Sequence, residues 1–412
     1  MSRSRGSRPT GGKGKGQGKP AHKGRPRSEP GQVEPTVTVD ADADADADAA
    51  AAEQPVGAAD EVSAPGDAIG AGRARPRRNR LVRPLAWWVA LWDGREPPTA
   101  LALVRILVAT VLLGDLLQAL VYGLVPTVWG PPPEGLAWGG VGINGSAIGR
   151  WLGPSTETGW LLWGGTVVIA LCVIFGVLTR ISCILLALAW AQLGWMSPDS
   201  DRGIDFMLRA VLMVLACSGC HARWSVDAWV RRKLRRPFPA LVPSWPRYLL
   251  FLQLIWIYFS AGHNKSDGAW GPLEGYSALA RILTDPHFAR FPATWIQWFY
   301  PLLQIGTGLT MVFELGSVLM LPLTYWSATR DRPGFLRKWA NKLRLRWGWI
   351  ILGVQFHIGI GVMMRLGIFP WGMLALFPVL FHPEELVRAE TWIRSRLPRL
   401  RPRQIAPGSP AG

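Results

Sequence analysis

The stretch PTALALVRILVATVLLGDLLQALVY, Pro98 to Tyr122, decides the class of this protein. An apolar run longer than about 18 residues reads as a membrane-crossing helix, because only an internally hydrogen-bonded backbone is tolerated in hydrocarbon. Seven further apolar segments follow: Gly159 to Leu178, Ile181 to Ser197, Ile204 to Cys220, Tyr248 to Asn264, Trp298 to Pro322, Gly348 to Met364, and a Pro-interrupted one from Ile368 to Phe381. The expectation is an all-α polytopic transmembrane bundle of about eight spans. The third, fourth and eighth segments are short enough to lie in the interface or to re-enter instead.

Composition agrees with that class. The 412 residues carry 45 Lys and Arg against 28 Asp and Glu, a net charge of +17, yet 49% of the chain is hydrophobic. Such an excess of base suits a nucleic-acid binder, but 23 Trp and repeated long apolar runs do not, so lipid is the expected partner and nucleic acid is not. Aperiodic Gly and Pro exclude collagen, and four Cys are too few for a disulfide scaffold in a chain this long.

Four regions are expected along the chain. Residues 1–72 are Gly/Lys/Arg-rich and then alternate Asp with Ala, which is a low-complexity, disordered composition. Residues 73–97 form a basic juxtamembrane segment, 98–386 the transmembrane domain and 387–412 a basic cytoplasmic tail. Residues 1–72 lack the short apolar core of a secretion signal, so the first span is expected to direct insertion.

Charge supplies an orientation. Segments 73–83, 223–247, 330–346 and 388–403 hold 26 Lys and Arg, while the alternating loops 123–158, 198–203 and 265–296, with Arg365, hold six. Basic loops stay cytoplasmic. Eight spans put all four basic segments on one side, with both termini cytoplasmic, in the cell's inner (plasma) membrane. The outer loops are rich in Trp, Gly and Pro, which suits interfacial anchoring or ligand stacking.

Ionisable groups inside spans are the next suspects, because burying them is costly. Asp205 and Arg209 stand four apart and are expected to form an intrahelical ion pair. Glu314 and His357 fall mid-span without a partner on their own helices, and either a structural contact between them or a proton path fits. Cys217, Cys220 and His221 spell the C-x-x-C-H of covalent haem attachment. That chemistry needs the exported side, whereas these residues end the fourth segment beside a basic loop, so a small-residue helix end is the favoured reading. No metal site is expected.

The segment Tyr258 to Tyr276, YFSAGHNKSDGAWGPLEGY, runs from the outer end of the fifth span into a loop. Lys265 stands where apolar helix gives way to that loop. A half-desolvated amine there is a candidate general base; a snorkelling anchor is the plainer reading. His263 and His287 are further outer-face candidates, and Trp270 and Tyr276 could stack a substrate.

These residues carry a resemblance. Ala261, Gly262, Lys265, Asp267, Trp270, Glu274, Gly275 and Tyr276 resemble the A-G-x-K-K-x-D-x-x-W-x-x-G-Y-S motif of vitamin K-dependent gamma-carboxylases. Trp224, Ser225, Val226 and Asp227 resemble the family's W-S-V-D. Phe356, His357, Gly367, Phe369, Met373, Leu374 and Ala375 resemble its F-H and I-G-x-F-x-x-x-M-L-A pattern. The likeness covers about 98 to 386 and points to the wider horizontally transferred transmembrane (HTTM) superfamily.

The resemblance implies that Lys265 is the base that deprotonates a vitamin K-like quinol entering from lipid. Asn264 replaces the first lysine of the family's pair, and His221 stands one position before the family's histidine. The family's large exported C-terminal region has no counterpart in these 412 residues, so quinol chemistry is implied rather than protein-glutamate carboxylation. A membrane enzyme using a lipid-soluble quinol is thus the leading expectation; a non-catalytic maturation, immunity or transport factor on the same bundle is the alternative.

Overall fold

A computed structural model describes Val89 and residues 93–133, 135–137, 151–153 and 155–396. The tail expected at 1–72, most of the basic segment 73–97, part of the Trp-rich outer loop 123–158 and the end of the basic C-terminal tail lie outside the described residues. Those described form a helical bundle with one antiparallel pair, β1 (Arg95–Glu96) against β2 (Val242–Pro243).

The long helices follow the apolar runs. They are α1 (Thr99–Val121), α3 (Thr156–Phe175) after the short α2 (Val125–Trp129), α4 (Thr179–Met196), α5 (Gly203–Ala216), α7 (Trp245–His263), α9 (Ile296–Leu315), α10 (Met320–Ala328) and α12 (Leu345–Met363). The remaining ones are α6 (Val226–Lys233), α8 (Ala278–Thr284), α11 (Phe335–Lys342), α13 (Phe369–Ala375) and the more polar α14 (Pro383–Arg396). In sequence, α1 packs on α3, α3 on α4, and α4 on α5; α7 packs on α9, which α8 overlies, and α13 folds back on α12.

Among the described residues, five helical runs are long and apolar enough to cross a membrane: α1, α3, α4, the run Ala293–Ala328 that contains α9 and α10, and α12. The other three expected spans differ for local reasons. At 1.5 Å per residue, the 14 residues of α5 cover roughly 21 Å, short of a hydrocarbon core of ~30 Å. The last segment is a short helix, Phe369–Leu380, with Pro370 and Pro378 at the starts of its two pieces. α7 has 19 residues but opens with Trp245, Pro246 and Arg247 and carries Gln253, which dilute its apolarity.

Contacts between helix ends define two faces. On the basic one, β1 meets β2, Arg247 clasps Glu96 at 2.7 Å, and Arg346 reaches the Leu380 carbonyl at 2.9 Å and Glu385. On the other, Ala289 bridges to Met364, and Arg202 at the start of α5 holds Asp115 near the end of α1 at 2.7 Å. The core between them is lined by Leu101, Val108, Leu112, Leu186, Leu208, Leu250 and Phe313, all buried.

Candidate functional site

Lys265 follows the last turn of α7, and its side chain folds back along that helix. Nζ donates to the Ala261 carbonyl at 3.2 Å, one of the α7 carbonyls without an intrahelical partner, and to Glu314 Oε2 at 2.5 Å. The Trp270 ring lies 5.0 Å from the amine and covers it as a cation–π partner. The Lys265 side chain is 20% exposed and that of Glu314 6%. The lysine is therefore turned into the bundle, opposite to the direction of a snorkelling anchor.

Local sequence makes this arrangement possible. A Cβ on Gly262 would lie 2.9 Å from Glu314 Cβ and 3.1 Å from Leu315, so glycine there lets α7 approach α9 closely enough for the pair to form. Asp267 accepts from the Ala269 N–H at 3.1 Å and starts the turn that carries Trp270. Gly275 then takes φ +62°, and its carbonyl accepts from Gln304 of α9 at 2.6 Å, which pins the loop to that helix.

His357 is fully buried on α12, and its Nε2 lies 2.5 Å from the Tyr258 hydroxyl. Phe313, Phe356, Phe369 and Phe377 enclose the pair, with ring centroids 4.6–5.9 Å from one partner or the other. Its Nδ1 has no hydrogen-bond partner among the described residues. An apolar cavity of about 750 Å³, lined by Ile204, Met207, Ile257, Phe369 and Met373 and rimmed by Arg202 and Arg365, shares Phe369 with this cluster.

A model of the HTTM domain matches residues 95–384. The chain belongs to the HTTM domain family. No solved structure matches it. It is an integral membrane protein of that family, and the three motif stretches fall at two separate places in this HTTM domain. The lysine stretch and the F-H stretch meet at Tyr258–His357, while Lys265 pairs with Glu314 of α9, outside all three stretches. The W-S-V-D stretch lies on the basic face, where it acts as a clamp: the Trp224 carbonyl accepts from buried Arg105 at 2.6 Å, Ser225 caps α6, and Asp227 caps α4 by accepting from the Leu178 and Thr179 N–H groups and the Thr179 hydroxyl at 2.7–2.9 Å.

Several expected pairings are replaced by others. Glu314 pairs with Lys265 and His357 with Tyr258, so the contact expected between Glu314 and His357 is not among their hydrogen bonds. Asp205 and Arg209 do not pair either. Asp205, third residue of α5, accepts from the Arg202 N–H at 2.8 Å, capping its own helix, and also binds the Arg202 guanidinium and Trp190 Nε1. Arg209 reaches past it to Asp201 at 2.9 Å. The need to satisfy the open helix N-terminus outweighs a contact one turn along.

The remaining candidates are dispersed. His263 is exposed and stacks on Phe259, with ring centroids 6.0 Å apart. His287 is 88% exposed and hydrogen-bonds Asp285, whose carboxyl is held below its ordinary range first by the His287 backbone N–H and then by its imidazole. Tyr276 lies against Gly308 of α9 rather than beside Lys265. Cys220 is fully buried with Sγ on the Leu215 carbonyl at 3.3 Å while Cys217 is exposed, so the two thiols of the C-x-x-C-H pattern do not share a surface. Tyr258 and Arg202 were missed as site residues. Tyr258 stands seven residues before Lys265, on the same helical face, and Asp115 inside a span required a cation.

Proposed function

We propose that the protein is a plasma-membrane enzyme acting on a lipid-soluble quinol, with the Lys265–Glu314 pair as its proton acceptor on the exported face. The carrying observation is the 2.5 Å contact between an amine at the bundle's mouth and a buried carboxylate. As an ammonium, Lys265 has three donors, of which Glu314 and the Ala261 carbonyl take two. Transfer of one proton to Glu314 leaves a neutral amine whose lone pair can take the proton of a quinol hydroxyl, yielding the quinolate and restoring the ammonium. The apolar cavity that shares Phe369 with the His357 cluster supports entry of an apolar substrate into the bundle from lipid. The resemblance supplies the substrate class, and the four basic segments support an orientation with both termini cytoplasmic.

The test is turnover of a vitamin K-type hydroquinone by membranes containing the protein, followed as oxygen-dependent loss of the quinol. Removal of a positioned base should cost roughly 10²–10⁴-fold, so Lys265→Ala should fall by that much while accumulating normally in the membrane. An inactive wild type, or a Lys265→Ala protein as active as the wild type, rejects the reading. The same ion pair favours a second one: Lys265 and Glu314 as a strap between α7 and α9 in a non-catalytic maturation, immunity or transport factor. That reading expects no quinol turnover by the wild type, with Lys265→Ala acting only through the stability of the bundle.

A further inference from the structure

A cavity of about 820 Å³ lies on the basic face, far from Lys265, between the start of α4, the end of α5, α6 and β2. Arg95, Arg180 and Arg231 line it, contributed by three separate segments of the chain. The side chains of Arg95 and Arg180 are exposed and make no ion pair or hydrogen bond among the described residues. Arg231 stacks over Phe238 at 4.5 Å and spends Nε on the Arg236 carbonyl, leaving its two terminal nitrogens. Asp227, the lining acid, is occupied by its three donors at the start of α4. The cavity therefore presents unneutralised positive charge.

Two further observations point to a ligand. His221 lines the same cavity, is only 8% exposed, and its Nδ1 has no partner among the described residues. The walls are apolar and open: Leu178, Ile181, Val226, Val230 and Leu241 are between 38% and 64% exposed while facing it. A pocket for a free soluble anion has no use for such walls at the foot of a membrane helix. Basic pockets between membrane helices on the cytoplasmic side are sites for anionic headgroups, which attract each nearby Lys or Arg.

We propose that this cavity binds an anionic phospholipid, with its phosphate held by Arg95, Arg180 and Arg231 and its upper acyl methylenes laid on Leu178, Ile181 and Leu241. The proposal does not depend on quinol chemistry. Its test is native mass spectrometry of the detergent-purified full chain titrated with phosphatidylglycerol or phosphatidylcholine of identical acyl chains. The wild type should hold phosphatidylglycerol about tenfold more tightly, and the Arg95→Gln/Arg180→Gln protein should lose that preference. A Lys338→Gln/Arg388→Gln protein, with the same change in net charge away from the cavity, should keep it. Equal binding of the two lipids, a preference that survives in the first variant, or one lost equally in the second overturns the proposal. Displacement of the lipid by millimolar inorganic phosphate would assign the arginines to a free anion and overturn it as well. Each variant's elution on size exclusion shows that it is folded, so a lost preference is not mistaken for unfolding.

Discussion

Lys265 and Glu314 form a pair that is costly to break from either side. Taking one partner from a buried ion pair leaves an uncompensated charge, worth about 3–5 kcal/mol when fully enclosed; with Lys265 20% exposed, solvent screening reduces this. Lys265→Ala strands the more buried carboxylate, and Glu314→Ala strands the more exposed amine. Lys265→Ala should therefore lower the thermal midpoint in detergent more than Glu314→Ala, and the double variant should recover part of the loss. Equal, additive losses would show that the two residues do not interact. Gly262→Ala belongs at this scale too. Its new methyl would meet Glu314 Cβ at 2.9 Å, and overpacking of this kind costs about 1–3 kcal/mol, so it should weaken the bundle and separate the pair without removing either charge.

At the scale of elements, helix ends are held by side chains from elsewhere in the chain. The N-cap of α4 is Leu178, a non-glycine residue with φ +45°, two residues after Gly176 at φ +69° closes α3. Asp227 of α6 holds that strained corner by accepting three hydrogen bonds. Asp227→Ala should cost about 1–3 kcal/mol, because it leaves two N–H groups and a hydroxyl unsatisfied at a charge-assisted cap, and limited proteolysis should then cut near Leu178 first. The α12–α14 junction gives a pH prediction. His382 hydrogen-bonds Ser327 at 3.2 Å, and burial, followed by the nearby Arg346, lowers its affinity for a proton below the ordinary 6.5. The unfolded chain then binds the proton more tightly, so the contribution is full above about pH 6.5 and is lost as pH falls below it. The thermal midpoint should drop on acidification from pH 7 to 5.5, and His382→Gln should flatten that drop; an identical slope in the variant refutes the assignment.

For the whole molecule, the testable quantity is sidedness. The contacts place Ser266, beside Lys265, on the face opposite the native Cys217, which is exposed at the end of α5 on the basic side. With that basic side cytoplasmic, a membrane-impermeant thiol reagent added to intact cells should label Ser266→Cys and leave the wild-type chain unlabelled until the membrane is opened. Labelling of the wild type on intact cells would invert the orientation. This result also bears on both ligand proposals, because it decides which leaflet faces the arginine-lined cavity and which side faces Lys265.

The sequence by itself determined the class and much of the layout. Hydrocarbon requires long apolar helices, and the runs at Thr99–Val121, Thr156–Phe175 and Leu345–Met363 were legible as such, while the shorter third run by sequence fits a span or an interfacial or re-entrant segment equally. Motif resemblance also singles out Lys265, Trp270 and His357. Partners were not legible in the same way. The spacing of Asp205 and Arg209 suggested an ion pair, but the helix cap claimed Asp205; Glu314 and His357 each looked unpartnered because their partners, Lys265 and Tyr258, stand 49 and 99 residues away. Local sequence reports periodicity and hydrophobicity, whereas the partner of a buried polar group is set by which helices approach closely, here through Gly262 and the aromatic packing around Phe313. Only the tertiary structure could decide that a lysine at a helix end turns inward to a carboxylate instead of outward to water.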